Sequence, residues 1–218
     1  MSARPVRIWG RASAFNLQKA LWGLAETGIA FERIDAGGAF GGLDAPEFRA
    51  MNPNGRIPVV DDGEAVVWES NAVIRYLAAR YASGTLWPES PAARSEADRW
   101  MEWFQNNLYR PFMDLFWGLV RTPEAQRDWP RIEALVATCA GHYRLLDQHL
   151  ATRPYLGGDR FTMGDIPAGT SLYRYFAMDI DRPDVPNVQR WYDRLRVRAP
   201  YQAHVMVPFD DLVGRLDF

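Results

Sequence analysis

The run Asn52-Pro53-Asn54-Gly55-Arg56-Ile57-Pro58-Val59-Val60-Asp61-Asp62-Gly63-Glu64-Ala65-Val66-Val67-Trp68-Glu69-Ser70-Asn71-Ala72-Val73-Ile74 decides the fold class. Ile57–Asp61 and Ala65–Trp68 are short apolar pieces on either side of Asp61-Asp62-Gly63-Glu64, a pattern that predicts a β-hairpin. Pro58 stands at the entry to the first strand, where a missing N–H is tolerated. From Ser70 onward the period changes: Val73, Ile74, Leu77, Ala78 and Tyr81 form the stripe of an amphipathic helix.

Working outward, residues 5–9 read as a strand stopped by glycine. Leu17, Ala20, Leu21, Leu24 and Ala25 then follow helical spacing up to Gly28, and Ala30–Asp35 reads as a second strand. Gly37-Gly38-Ala39-Phe40-Gly41-Gly42 lacks the spacing of a phosphate-binding turn and is expected to be a mobile loop. Strand–helix–strand followed by strand–strand–helix within about 82 residues is an α/β layer. Residues 84–91 carry glycine, proline and serine and read as a linker between a domain at 1–83 and another at 92–218. The second domain shows only helical periodicity. Ala93, Ala97, Trp100, Met101, Phe104 and Leu108 share one face of a helix that Pro111 should bend or end, and helices are expected over 130–151, 163–178 and 187–198.

Composition narrows the function. Apolar residues at 48% and charged residues at 24% are the proportions of a globular chain, and 218 residues bury a core without metals or disulfides. A net charge of −2 leaves no global positive field for a polyanion, so no nucleic-acid partner is expected. No apolar run reaches the ~18 residues of a membrane span, and the first residues lack the apolar stretch of a secretory signal. No membrane partner is therefore expected, and the expected location is the cytoplasm. Cys139 is the single cysteine and His142, His149 and His204 are scattered, which argues against a disulfide framework and a metal site alike. Of 25 basic residues only Lys19 is lysine, a bias that points to a GC-rich, bacterial genome.

Two features of the opening stretch bear on chemistry. A cis bond at Ile57-Pro58 would turn the Ile57 N–H and C=O outward to pair with an extended peptide; from the position alone, a trans edge proline is the commoner outcome. Ser70 opens a helix whose N–H groups favour an anion, and Glu69 beside it offers charge to an ammonium. A carboxylate site next to an ammonium site fits the α-amino-acid end of a ligand, although a plain serine cap and a helix-terminal charge account for the same residues.

Asn52-Pro-x-Gly-Arg-Ile-Pro-Val followed by Trp-Glu-Ser-Asn-Ala-x-Ile resembles the glutathione site of the cytosolic glutathione transferase family, and the resemblance extends over nearly the whole chain. It implies a thioredoxin-like first domain (βαβ-α-ββα) and an all-helical second one. It also implies glutathione as cosubstrate, no metal, and a homodimer that conjugates glutathione to small apolar electrophiles. Pro58 would then be cis, with the Ile57 backbone on the cysteinyl part, Glu69 and Ser70 on the γ-glutamyl end and Arg56 toward the glycyl carboxylate. For thiol activation the family places Tyr, Ser or Cys after the first strand; here neither Tyr nor Cys occurs before Phe48. Ser13 is the first candidate. Asn16, which resembles the asparagine of some bacterial and fungal relatives and should also cap its helix, is the second. By the same resemblance Trp103, Tyr109, Met113, Phe116 and Trp117 line the electrophile pocket, though plain helix–helix packing suits each of them singly. Phe161-Thr162-Met163-Gly164-Asp165 matches the family's helix-capping box, with Gly164 and Pro167 expected to distort the helix start. Two rival functions fit the same residues: a glutathione-dependent disulfide reductase or peroxidase, and a non-catalytic glutathione-binding scaffold.

Overall fold

The computed structural model describes residues 5–216; the outermost ends of the two expected domains, and part of the segment read for a secretory signal, lie outside them. The chain divides into two compact units with the boundary at Trp87/Pro88, inside the stretch read as a linker. That stretch is structured. Ser83 bridges Trp87, Leu86 is buried and Pro91 opens a helix.

The first unit is a four-stranded sheet in the order β2-β1-β3-β4, built from β1 (Val6–Trp9), β2 (Phe31–Ile34), β3 (Val59–Asp61) and β4 (Val66–Trp68). β2 runs parallel to β1, whereas β3 is antiparallel to both β1 and β4. Helix α1 (Phe15–Glu26) and helix α3 (Ser70–Tyr81) cover one face, burying Leu17, Leu21, Leu24, Val73 and Leu77 against Val6, Ile8 and Val60. Each such side chain contributes roughly 1.5–3 kcal/mol when removed from water. The other face holds Phe48 of the short helix α2 (Pro46–Met51), an element that periodicity misses because six residues are too few to show a stripe. Gly37–Gly42 is also more ordered than expected: it is wound into a 3₁₀ turn, with the Gly37 N–H donating to Gly41 O at 2.7 Å.

The second unit is helical: α4 (Pro91–Trp103), α5 (Tyr109–Phe116), α6 (Trp129–Leu150), α7 (Asp165–Ala177), α8 (Pro186–Arg196) and the short α9 (Ala199–His204). Pro111 neither ends nor breaks its helix. The interruption lies upstream, in a π-helical stretch at Phe104–Leu108, so Pro111 becomes the third residue of α5 and its missing N–H falls where regular bonding is already interrupted.

Gly164 and Pro167 do not distort α7 either. Pro167 sits in the first turn, where its N–H would have no partner in the helix. Gly164 permits close helix approach, since a Cβ there would lie 2.8 Å from Ala97 Cα and 2.9 Å from Ala97 O. Both contacts are backbone and cannot swing aside. Gly164→Ala is therefore expected to lower stability by about 1–3 kcal/mol through overpacking, read from urea midpoints. Helix propensity alone would give the opposite sign, so a stabilised variant would refute the packing role.

Candidate functional site

The pairing Trp9↔Val59↔Trp68 sets the end of β1, the start of β3 and the end of β4 side by side. Three segments far apart in sequence therefore emerge at one end of the strands: Gly10–Ala14 leading into α1, Arg56–Pro58 leading into β3, and Glu69–Ser70 leading into α3.

In the middle segment the Ile57-Pro58 bond is cis. Among the described residues, neither the N–H nor the C=O of Ile57 takes a hydrogen-bond partner. The loop before it is pinned by buried Asn52. Its Nδ2 donates to Arg56 O at 2.8 Å, and its Oδ1 accepts from the Asn54 N–H at 3.0 Å and the Asn54 Nδ2 at 3.1 Å. The Arg56 side chain is exposed.

At the third segment Glu69 is the helix N-cap, with φ 67° and ψ 113°, and it is the one non-glycine residue with positive φ among those described. Such a backbone costs on the order of 1–3 kcal/mol and persists where the surrounding structure imposes it. Ser70 does not cap α3 as expected, because it is already the first helical residue, and the Glu69 side chain at the N-cap makes no cap bond. The Ser70 and Ala72 N–H groups of the first turn thus stay available to an anion. The Glu69 carboxylate is exposed beside them and takes no partner among the described residues.

Asn16 is not a cap either. The Ala14 N–H donates to Arg11 O, this turn makes Ala14 the N-cap of α1, and Asn16 falls at the second helical position. From there its Oδ1 accepts from Lys19 Nζ at 3.3 Å and from Ser70 Oγ at 3.4 Å, joining α1 to α3 across 54 residues of sequence. Lys19 is fully buried. Ser13 is half-buried in the turn ahead of α1.

The hairpin that carries β4 is fastened at its far end. Burial pushes the Asp62 carboxyl up. The hydroxyls of Tyr76 and Tyr81, both at 2.6 Å, and the backbone N–H groups of Ala65 and Glu64 outweigh that and hold it well below the usual carboxylate range. The turn is thereby tied to α3 and stays ionised at any working pH.

Of the helical residues, Tyr109, Met113 and Phe116 recur at helical spacing along α5. Phe116 is buried edge-on to Phe209 at 5.3 Å. Trp103 turns toward α6 and meets His142 at 5.7 Å. Trp117 lies under the Arg121 guanidinium at 3.6 Å and lines a cavity of about 250 Å³ with Asp114, Thr122 and Arg131. Cys139 is buried, and burial pushes its thiol up to about 12, which leaves it a poor nucleophile. Among the described residues no three His, Cys, Asp or Glu side chains converge to hold a metal, and no helix is long and apolar enough to cross a membrane.

Residues 4–79 match the model of the glutathione S-transferase N-terminal domain, and residues 130–194 match a model of its C-terminal domain. The chain is 40% identical over 205 residues to glutathione S-transferase GstB of Escherichia coli K12, covering 93% of this chain and 99% of that one. The chain belongs to the glutathione S-transferase family. A theta class glutathione S-transferase from the citrus canker pathogen Xanthomonas axonopodis pv. citri, solved with glutathione bound, is 51% identical, with a TM-score of 0.89 over 95% of this chain and 99% of that one. Maize glutathione S-transferase 3 is 29% identical over 213 residues, covering 92% of this chain and 93% of that one. As a glutathione S-transferase the chain is a transferase with glutathione as cosubstrate, and it has the family's thioredoxin-like and all-helical domains.

Two further residues brace this region, and the sequence shows them unequally. Asn52 is visible there only as part of a motif, with no local signal for its role as the loop pin. Lys19 does leave a signal, as the only lysine in an arginine-rich chain, three residues after Asn16.

Proposed function

We propose that this transferase binds glutathione across the strand ends at Ile57-Pro58 and Glu69-Ser70, and that Asn16 stabilises its thiolate for attack on small apolar electrophiles. The observation that carries the reading is the bond between Ser70 and Asn16, which joins the γ-glutamyl and activating positions. The Ile57 N–H and C=O pair with the cysteinyl backbone, the first-turn N–H groups of α3 and Ser70 hold the γ-glutamyl carboxylate, Glu69 holds the ammonium, and Arg56 reaches the glycyl carboxylate. Tyr109, Met113 and Phe116 are the wall proposed for the electrophile, with Trp103 and Trp117 outside it. The enzyme is read as a cytoplasmic homodimer, on family resemblance.

A thiol with pKa about 8.5 is a few per cent ionised near neutrality. Lowering it by two units needs roughly 2.7 kcal/mol of preference for the thiolate, which is the scale of one charge-assisted hydrogen bond plus a helix N-terminus. The thiol proton leaves to solvent. The sulfur lone pair then forms the C–S bond, and the leaving group departs with its electron pair.

Glu69 supplies the test, because its two roles predict opposite signs. Glu69→Ala and Glu69→Gly should each weaken glutathione binding about tenfold by calorimetry, the scale of a partly solvated charged hydrogen bond. Glu69→Gly should at the same time raise stability by about 1 kcal/mol, since glycine relieves the positive-φ backbone at a modest cost in unfolded-state entropy. Wild-type affinity in both variants sinks the γ-glutamyl assignment.

A further inference from the structure

Lys19 is the most deeply buried cation among the described residues, with no solvent exposure at all, and the proposed chemistry gives it no task so far. Its ammonium lies 3.3 Å from Asn16 Oδ1. An ammonium has only donors to offer. The Asn16 atom that faces it must therefore be the oxygen, which fixes which way round the amide sits. Ser70 Oγ approaches the same oxygen at 3.4 Å. With Oδ1 held on that side, the Nδ2 group is turned the other way.

The Ser70 hydroxyl cannot keep this up once glutathione binds. It has one proton, and the reading above directs that proton to the γ-glutamyl carboxylate. Lys19 still holds Oδ1. We infer that Lys19 is a positioning residue: it fixes the Asn16 amide so that Nδ2, not Oδ1, faces the glutathione sulfur. A flipped amide would set an oxygen lone pair against a thiolate and favour the protonated thiol. This inference rests on Asn16 being the activating residue, and the test separates the two.

The experiment uses the full chain with glutathione, following thiolate absorbance in the ultraviolet against pH for Lys19→Met, Asn16→Ala and the double variant. Affinity for S-methylglutathione, which has no ionisable thiol, reports on the rest of the site. Lys19→Met should raise the bound-thiol pKa by about one unit and lower kcat/KM near neutral pH about tenfold. Its affinity for S-methylglutathione should stay within about twofold, which a merely structural defect would not allow. The double variant should be no worse than Asn16→Ala alone, because Lys19 acts through Asn16. Lys19→Gln, shorter and uncharged but still carrying an N–H donor, should shift the pKa less than Lys19→Met, and it answers the question if the methionine variant does not fold. An unchanged pKa in Lys19→Met overturns the inference, as does a shift that adds in full to that of Asn16→Ala. An unchanged pKa in Asn16→Ala alone overturns the activator assignment instead.

Discussion

Replacing Asp165 by alanine is expected to lower the unfolding free energy by about 3–5 kcal/mol, a loss few single substitutions reach. The Asp165 carboxylate is fully buried and accepts from the Leu156 N–H at 2.9 Å, the Thr162 N–H at 2.9 Å and Trp191 Nε1 at 3.1 Å. One side chain thus joins the loop before α7, the start of α7 and helix α8. Alanine strands all three donors in the interior, at about 1–3 kcal/mol each before any water enters. Asp165→Asn should cost less, because the amide keeps one carbonyl oxygen as an acceptor. Burial pushes the acid from its ordinary 3.8 up to about 6, against those three donors and the charge of Arg198. A folded-state pKa above the unfolded one means that the fold holds the proton more tightly. The contribution of Asp165 is then fully present below about pH 4 and is lost as pH rises through about 6. Urea unfolding between pH 4 and 7 should show that decline in the wild type and not in Asp165→Asn. An alanine variant within about 1 kcal/mol of wild type would show that the donors find other partners.

The legibility of this fold follows element length and chemistry. Helices α1, α3, α6, α7 and α8 are readable because each is long enough to repeat its apolar stripe, and the hairpin because Asp62-Gly63 marks its turn. Helices α2 and α9, six residues each, are not, and neither is the 3₁₀ winding of the Gly37–Gly42 stretch. Gly164 misleads for a clearer reason. Propensity prices a glycine by its own helix, whereas this one is fixed by the backbone of Ala97 on another helix, far away in sequence.

The site divides the same way. Glu69 and Ser70 are legible because they stand side by side in the sequence where strand period gives way to helix period. What the sequence cannot print is which of two neighbours in a turn faces across the sheet. Family position puts Ser13 ahead of Asn16, and Asn16 is expected to cap because asparagine so often does. The Arg11–Ala14 turn starts α1 at Phe15, which moves Asn16 inside the helix and frees its amide to reach Ser70. That contact depends on the order β1-β3-β4, a long-range pairing that no local window holds.

From that geometry comes the sharpest chemical expectation. Asn16→Ala should raise the pKa of enzyme-bound glutathione by about one to two units, while Ser13→Ala leaves it within a few tenths. A hydrogen bond to a charged group is worth roughly 1.5–3 kcal/mol, and each pKa unit corresponds to about 1.36 kcal/mol. Near neutral pH the turnover of Asn16→Ala should fall in step with its thiolate fraction and recover as pH is raised toward the free-thiol value. A variant that had merely misplaced the substrate would not recover in that way. Asn16 is not the N-cap, so any stability lost in Asn16→Ala comes from its bonds to Lys19 and Ser70 rather than from a missing cap. A pKa rise confined to Ser13→Ala would hand the role to the serine hydroxyl, and Lys19 would then be a buried cation bonded within α1 rather than a part of the chemistry.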